Sequence, residues 1–116
     1  MLKAKPKIEF IEKDDLIRFE GIFIIKSLWE EDENLYHKIS DFLRERESIN
    51  IEFKVFYFDS VSRKIFFELF MRLSDELNSM KMVNIEWYYE EEDESILELG
   101  KVLSDNLALP FEFIQE

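Results

Sequence analysis

The sequence predicts an α/β layer fold with a mixed β-sheet, and two patterns carry this prediction. Segments with an apolar residue at every second position, as in β-strands, alternate along the chain with segments whose apolar residues recur with the helical period of about 3.6 residues. The resulting order of elements, β-β-α-β-α-β-α-β, is typical of α/β proteins. For 116 residues we expect one domain, over residues 1–116, with about five strands and about three helices.

The N-terminal part is expected to hold a hairpin and a helix. Apolar and charged residues alternate over residues 8–10, and a second strand covers about residues 16–21 after a turn. Ser27 and Glu30 have the spacing of a capping box, in which each side chain accepts a hydrogen bond from a free backbone N–H group. The apolar stripe of the helix that follows ends near Arg46 and comprises Leu28, Leu35, Tyr36, Ile39, Phe42 and Leu43.

The segment INIEFKVFYF, residues 49–58, is the clearest strand of the sequence. Its alternation predicts one face made of Ile49, Ile51, Phe53, Val55 and Tyr57. The other face changes from polar to apolar at Phe56 and Phe58. A strand that is apolar on both faces at one end is typically interior to its sheet and covered on both sides there.

Two helices and two strands complete the predicted fold. A helix is expected over about residues 61–78, a strand over residues 82–89, a helix that ends before Pro110 and a short strand over residues 110–114. The apolar stripes of the two helices comprise Phe66, Leu69, Phe70, Leu73 and Leu77 in the first and Ile96, Leu99 and Leu103 in the second.

Three large apolar residues lie outside these stripes and faces. Phe67 and Met71 widen the apolar surface of the helix at 61–78, and Tyr88 lies on the strand face opposite Trp87. Either a neighbouring helix covers these residues, or they form a patch that binds a partner, because contiguous exposed apolar area on a soluble domain usually marks an interface.

The composition excludes several classes of function. The net charge of −12 argues against a nucleic-acid backbone or an anionic membrane as partner. The absence of cysteine excludes disulfides, thiolate metal sites and thiol nucleophiles. The N-terminus lacks the apolar region of a signal peptide, and no apolar run is long enough to span a membrane. We therefore expect a cytoplasmic protein without membrane insertion.

The candidates for catalysis and metal binding are weak. The acidic runs 30–33 and 90–94 lack the glycine and spacing of a Ca²⁺ loop, and acids in the first turn of a helix complement its dipole. His37 has neither a second histidine nor a suitably ordered serine and aspartate to support catalysis, so it is expected at the surface. No catalytic residue, metal site or cofactor is predicted.

The junction between the strand at 49–58 and the next helix carries the most specific local pattern. Asp59 can cap the helix by accepting from backbone N–H groups of the first turn, which makes Ser60 the first helical residue, with its hydroxyl near solvent. A phosphate on Ser60 would lie at a helix N-terminus, within reach of Arg63 and Lys64. Alternatively, Ser60 or Ser62 is itself the cap and has no further role.

Two segments of the sequence resemble the SiaC-type regulatory phosphoproteins of bacteria, small acidic domains related to the STAS group of anti-sigma-factor antagonists. The segments are FKVFYFDSVSRK and VNIEWYYEEEDESILELG, followed by the closing LPFEFI. In that family a strand ends in Tyr-Leu/Phe-Asn-Thr-Ser-Ser-x-Lys, and the threonine is phosphorylated. The resemblance places the phosphoacceptor on Ser60, with Ser62 as second choice, and implies a STAS-like fold. In the first segment the acceptor lies among Tyr57, Phe58, Asp59, Ser62 and Lys64. The second segment matches at Trp87, Tyr89, Glu98 and Gly100.

The chain departs from the family pattern at the acceptor itself. Asp59 replaces the usual asparagine, Ser60 the threonine, and Val61 a serine. A fixed negative charge beside the acceptor would deter a kinase or partly mimic the phosphorylated state. A family motif, Gly-x-Ser-Tyr-Pro-Glu, is matched only by Gly21 and, after extra residues, by the segment 27–30.

The resemblance implies a non-enzymatic switch. A Ser/Thr protein kinase and a PP2C-type phosphatase would act on Ser60, and the free-hydroxyl form would bind an effector, which for known relatives is a diguanylate cyclase that makes cyclic di-GMP. The sequence leaves open whether phosphorylation turns binding off or on. The expected switch surface comprises Tyr57, Asp59, Ser60, Ser62, Arg63, Lys64, Phe67 and Met71.

Two other functions are compatible with the same residues. One is a constitutive interaction module, in which Asp59 locks one state and no phosphorylation occurs. The other is a small enzyme that uses carboxylates and a metal ion, for which Glu91, Glu92 and Asp93 would be the ligands.

Overall fold

The computed structural model describes residues 7–24 and 35–116, which form a five-stranded sheet with helices packed against it. The strands are β1 (Lys7–Ile11), β2 (Leu16–Phe23), β3 (Ser48–Phe58), β4 (Met82–Tyr89) and β5 (Phe111–Gln115). The described helices are α1 (Leu35–Arg44), α2 (Ser60–Arg72), α3 (Ser74–Asn78) and α4 (Glu94–Leu107). The predicted capping box at Ser27 and Glu30 lies outside the described residues, as does Leu28.

The sheet is mixed, as predicted. Its strands lie side by side in chain order, with β1 antiparallel to β2 and the other neighbouring pairs parallel. In nearly all proteins the connections between parallel neighbours are right-handed, and consecutive crossovers in one direction then place their helices on the same face of the sheet. Because β2 to β5 are parallel, their carboxyl ends all lie at one end of the sheet, which we call the C-terminal edge. None of the described helices is long and apolar enough to cross a membrane.

The core is built around the ring of Phe53 on the central strand. On the sheet, this ring lies 4.9 Å from the rings of both Phe19 and Trp87, measured between centroids. From the helix layer, Phe66 and Phe70 of α2 approach it edge-on at 5.5 Å each. Such pairs contribute about 0.5–1.5 kcal/mol each beyond the area they bury. The aromatic cluster therefore holds α2 against the centre of the sheet.

The prediction for the end of β3 is wrong at Tyr57. Residues 21–22 of β2 are consecutive, yet they pair with Val55 and Tyr57, so β3 carries one extra residue, Phe56. Because side chains alternate between the faces of a strand, one extra residue reverses the facing of those that follow. Phe58 is therefore buried in the core, whereas Tyr57 is exposed.

The predicted helix over residues 61–78 is interrupted, which gives four helices in the described part of the chain rather than about three. At Leu73 the backbone has φ −87° and ψ −2°, and its N–H group is shared between the carbonyls of Leu69 and Phe70 at 3.1 Å each. The chain tightens there and continues as α3. The predicted apolar stripe is nevertheless buried along both pieces.

Helix α4 lies directly against the indole ring of Trp87. The indole Nε1 donates to the carbonyl of Ile96 at 3.0 Å, and the bond is buried. A Cβ atom at Gly100 would lie only 2.6 Å from the indole Cε2 atom, closer than real Cβ contacts. Glycine is therefore required at this position by the close approach of the helix to the ring.

We expect Gly100→Ala to lower the free energy of unfolding by about 1–2 kcal/mol, because overpacking outweighs the higher helix propensity of alanine. Chemical denaturation followed by far-UV circular dichroism measures this change. Lys101→Ala is the matched control, since Lys101 is the exposed neighbour on the same helix. An unchanged or increased stability of Gly100→Ala would contradict the packing described for Trp87.

Candidate functional site at the start of helix α2

The junction between β3 and α2 lies at the C-terminal edge of the sheet. Asp59 alone separates the last residue of β3 from the first residue of α2. The backbone N–H of Asp59 donates to the carbonyl of Phe23 at 3.3 Å, which ties the junction to the end of β2.

Asp59 caps α2, as the sequence predicts. Its backbone is extended, with φ −75° and ψ 170°, and its Oδ1 atom accepts from the N–H of Ser62 at 2.8 Å. Such a cap stabilises a helix by about 1 kcal/mol. The alternative in which Ser60 or Ser62 is the cap is therefore wrong. Ser60 is the first residue of the helix and is exposed.

Ser62 is fully buried, and its hydroxyl has no hydrogen-bond partner among the residues that the structure describes. The residue shares the apolar stripe of α2, because Phe66 follows one helical turn later. A buried polar group without a partner costs about 1–3 kcal/mol. In this conformation the Ser62 hydroxyl is out of reach of another protein, unlike Ser60.

Three exposed apolar side chains lie at the same end of the sheet as Ser60. Tyr57 is 52% exposed, Val61 51% and Ile24 44%. Ile24 follows Phe23, whose carbonyl binds the junction, so all three lie at the same edge. Of the three, only Tyr57 belongs to the switch surface predicted from the sequence. Val61 could have been found from its position outside the apolar stripe of α2, whereas Ile24 is brought here only by the pairing of β2 with β3.

Phe67 and Met71, predicted as apolar contacts of the switch surface, are half-buried and pack against the core. Tyr88 is also half-buried, beneath the Lys54 ammonium group, which lies 4.8 Å from its ring centroid. The Tyr88 hydroxyl donates to Glu86 at 3.0 Å, and burial followed by this hydrogen bond raises the pKa of Tyr88. Contacts within the molecule therefore cover most of the apolar surface of these three residues.

Arg63 and Lys64, the two cations predicted near the start of α2, differ in their surroundings. The Arg63 guanidinium donates to the Ser95 hydroxyl at 2.7 Å, and thereby joins the start of α2 to the start of α4. Lys64 is exposed. Asp93 caps α4 by accepting from the N–H of Ile96 at 3.0 Å. The two helices thus begin side by side, each with an aspartate cap.

The remaining candidates do not converge on a site. Within the described part of the chain, no group of three or more histidine, aspartate or glutamate residues is arranged to hold a metal ion. The acidic residues 90–94 lead into α4, where Asp93 is the cap. His37 is exposed and its ring lies edge-on to that of Tyr36, 5.3 Å away. The predicted acidic run 30–33 lies outside the described residues.

One family model matches nearly the whole chain. The family model described as SiaC family regulatory phosphoprotein matches residues 2–116. No curated protein sequence matches the chain significantly.

Solved structures of SiaC from Pseudomonas aeruginosa share the fold. One, of SiaC itself, aligns with a TM-score of 0.80 at 14% identity and covers 100% of this chain and 94% of that chain. A structure of apo-SiaC aligns with a TM-score of 0.76 at 14% identity, over 98% and 93% of the two chains. A crystal structure of the diguanylate cyclase SiaD in complex with its activator SiaC gives a TM-score of 0.74 at 17% identity, over 100% and 96%.

We expect Ser62→Ala to raise the free energy of unfolding by about 1 kcal/mol, because the substitution removes a buried hydroxyl that has no partner. The matched control is Ser60→Ala, which makes the same change at an exposed position two residues away and should alter stability by less than about 0.5 kcal/mol. Urea denaturation of the two variants and the wild type gives both values. A loss of stability in Ser62→Ala would show that the hydroxyl is satisfied in solution.

Proposed function

The chain belongs to the SiaC family of regulatory phosphoproteins, and from this premise we propose that it is a non-enzymatic switch controlled by a phosphate on Ser60. The observation that carries the proposal is the contrast between two serines of one helical turn. Ser60 is exposed at the first position of α2, whereas Ser62 is fully buried. A helix N-terminus also favours a phosphate, through its free N–H groups and its dipole.

The charge of the phosphate accounts for switching. It would add about −1.5 to −2 charges at neutral pH, at the end of the sheet where Ile24, Tyr57 and Val61 are exposed. An unpaired charge buried in an interface costs several kcal/mol, and each 1.4 kcal/mol reduces affinity about tenfold. In this mechanism the free-hydroxyl form binds the effector, and phosphorylation releases it.

Asp59 is compatible with this switch. Its carboxylate accepts the N–H of Ser62 at the positive end of the helix dipole, so part of its charge is compensated within the chain. A phosphate on the exposed hydroxyl of Ser60 would instead face the partner directly. Asp59 therefore acts as a helix cap rather than as a substitute for the phosphate.

The proposed partners follow from the family and from charge. In Pseudomonas aeruginosa, SiaC is the activator of the diguanylate cyclase SiaD, and we propose an effector of that class here, together with a Ser/Thr kinase and a PP2C-type phosphatase in the cytoplasm. With a net charge of −12, the chain favours an effector that presents a basic surface.

A constitutive interaction module is the second candidate, and the fixed charge of Asp59 beside Ser60 is the observation that favours it. The two functions differ in one measurable respect. The constitutive module requires no phosphate on Ser60 and predicts identical effector binding by wild type and Ser60→Ala.

Phosphosite mapping by mass spectrometry on the protein purified from its native cells distinguishes the two functions. We expect phosphate on Ser60 and none on Ser62, because only Ser60 is accessible. If no growth condition yields phosphate on Ser60, the constitutive module is the better proposal. Phosphate on Ser62 would require the first turn of α2 to open and would overturn the assignment of the acceptor.

The effector can be captured from native cells with Ser60→Ala as bait. We expect it to bind Ser60→Asp at least about tenfold more weakly than Ser60→Ala, because the added charge would be desolvated in the interface. Titration calorimetry with the purified effector measures both affinities. Ser79→Asp is the control, since Ser79 is exposed between α3 and β4, at the opposite edge of the sheet. Equal affinities for Ser60→Asp and Ser60→Ala would contradict switching by charge.

A further inference from the structure

The hydrogen bond between Arg63 and Ser95 connects the proposed phosphoacceptor helix to a second helix. Resting on the proposed function, we propose that Arg63 is a positioning residue that leaves Ser95 for the phosphate on Ser60, so that phosphorylation also releases the start of α4. The bond of 2.7 Å between the Arg63 guanidinium and the Ser95 hydroxyl joins residues 32 positions apart in the chain.

Arg63 is placed to reach both serines. Ser60 and Arg63 are three residues apart on α2, so they are neighbours on one helix surface, with Cβ atoms about 5–6 Å apart. Arg63 is exposed, and so are Ser60 and Ser95, which leaves the long side chain room to turn from one serine to the other. The exchange needs only side-chain rotation.

The phosphate is the stronger acceptor. Ser95 offers Arg63 one neutral hydroxyl oxygen, whereas a phosphate offers several charged oxygens in the geometry that a guanidinium binds through two N–H groups. Hydrogen bonds assisted by charge are roughly twice as strong as those between neutral groups. A phosphate on Ser60 should therefore draw Arg63 away from Ser95.

The position of Arg63 near the start of α2 supports a role in binding an anion. The first turn of α2 contains no acidic residue, and the cations Arg63 and Lys64 lie four and five residues after its cap, Asp59. Cations near a helix N-terminus oppose the dipole and are unfavourable there. A phosphate on Ser60 would add a favourable interaction with both cations, which opposes this unfavourable one.

Release of Ser95 would change the surface at the start of α4. Ser95 directly follows the acidic residues 90–94, so the Arg63 guanidinium lies beside a run of negative charge. When the cation moves to the phosphate, this run loses a neighbouring positive charge and α4 loses its side-chain link to α2. A partner that contacts both helix starts would thus meet a changed surface beyond Ser60 itself.

Nuclear magnetic resonance of the full chain, with phosphoserine installed at position 60 during translation, tests the exchange. In the wild type, phosphorylation should shift the backbone amide signals of residues 94–97, and Ser95→Ala without phosphate should shift the signals of Glu94, Ile96 and Leu97 in the same direction. In Arg63→Gln, phosphorylation should leave these signals unmoved. Lys64→Gln is the matched control, one residue away, and should respond like the wild type.

A phosphorus titration gives a second measurement that a merely structural role of Arg63 would not affect. A guanidinium bound to the phosphate favours its dianion, so the second ionisation of phosphoserine 60 should occur at lower pH in the wild type than in Arg63→Gln. An unchanged ionisation, or movement of the α4 signals in Arg63→Gln equal to that in the wild type, would overturn the exchange. Because the phosphoserine is installed directly, these outcomes do not depend on whether native cells phosphorylate Ser60 or on whether an effector binds.

Discussion

The packing of Phe53 against α2 is the constraint on which the candidate site depends. The two ring contacts to Phe66 and Phe70 fix both the position of α2 over the sheet and its rotation about its own axis. With that rotation fixed, Ser62 shares the buried stripe and Ser60 lies outside it. The aromatic core therefore decides which of two nearby hydroxyls the molecule presents to solvent.

Features that depend on residues close together in the chain could be predicted from the sequence. The strands and the stripes of the helices follow from local periodicity, and the cap by Asp59 joins groups only three residues apart. The burial of Ser62 was available from the same periodicity, because the residue precedes Phe66 by one turn, but a serine in an apolar stripe does not stand out as a member of it. The acceptor preferred from the family pattern, Ser60, is the exposed one of the two.

Features that depend on distant partners could not be predicted. The extra residue in β3 exists only relative to the register of β2, so alternation within β3 placed Tyr57 on the wrong face. The contact between Arg63 and Ser95 arises likewise from how separate elements meet. Periodicity carries no information on such contacts, because it describes each element in isolation.

The extra residue Phe56 forms a β-bulge near the end of β3, and the bulge separates a residue needed for the core from a residue exposed to solvent. Phe58 serves the interior, and its replacement would disturb the packing of several rings, whereas the adjacent Tyr57 projects outward. Substitutions at Tyr57 or Val61 leave the interior intact, so these positions can diverge at little risk to folding. The surface that contacts a partner can therefore change during evolution while the fold stays the same. The bulge marks the boundary between the residues that the core requires and those that can change.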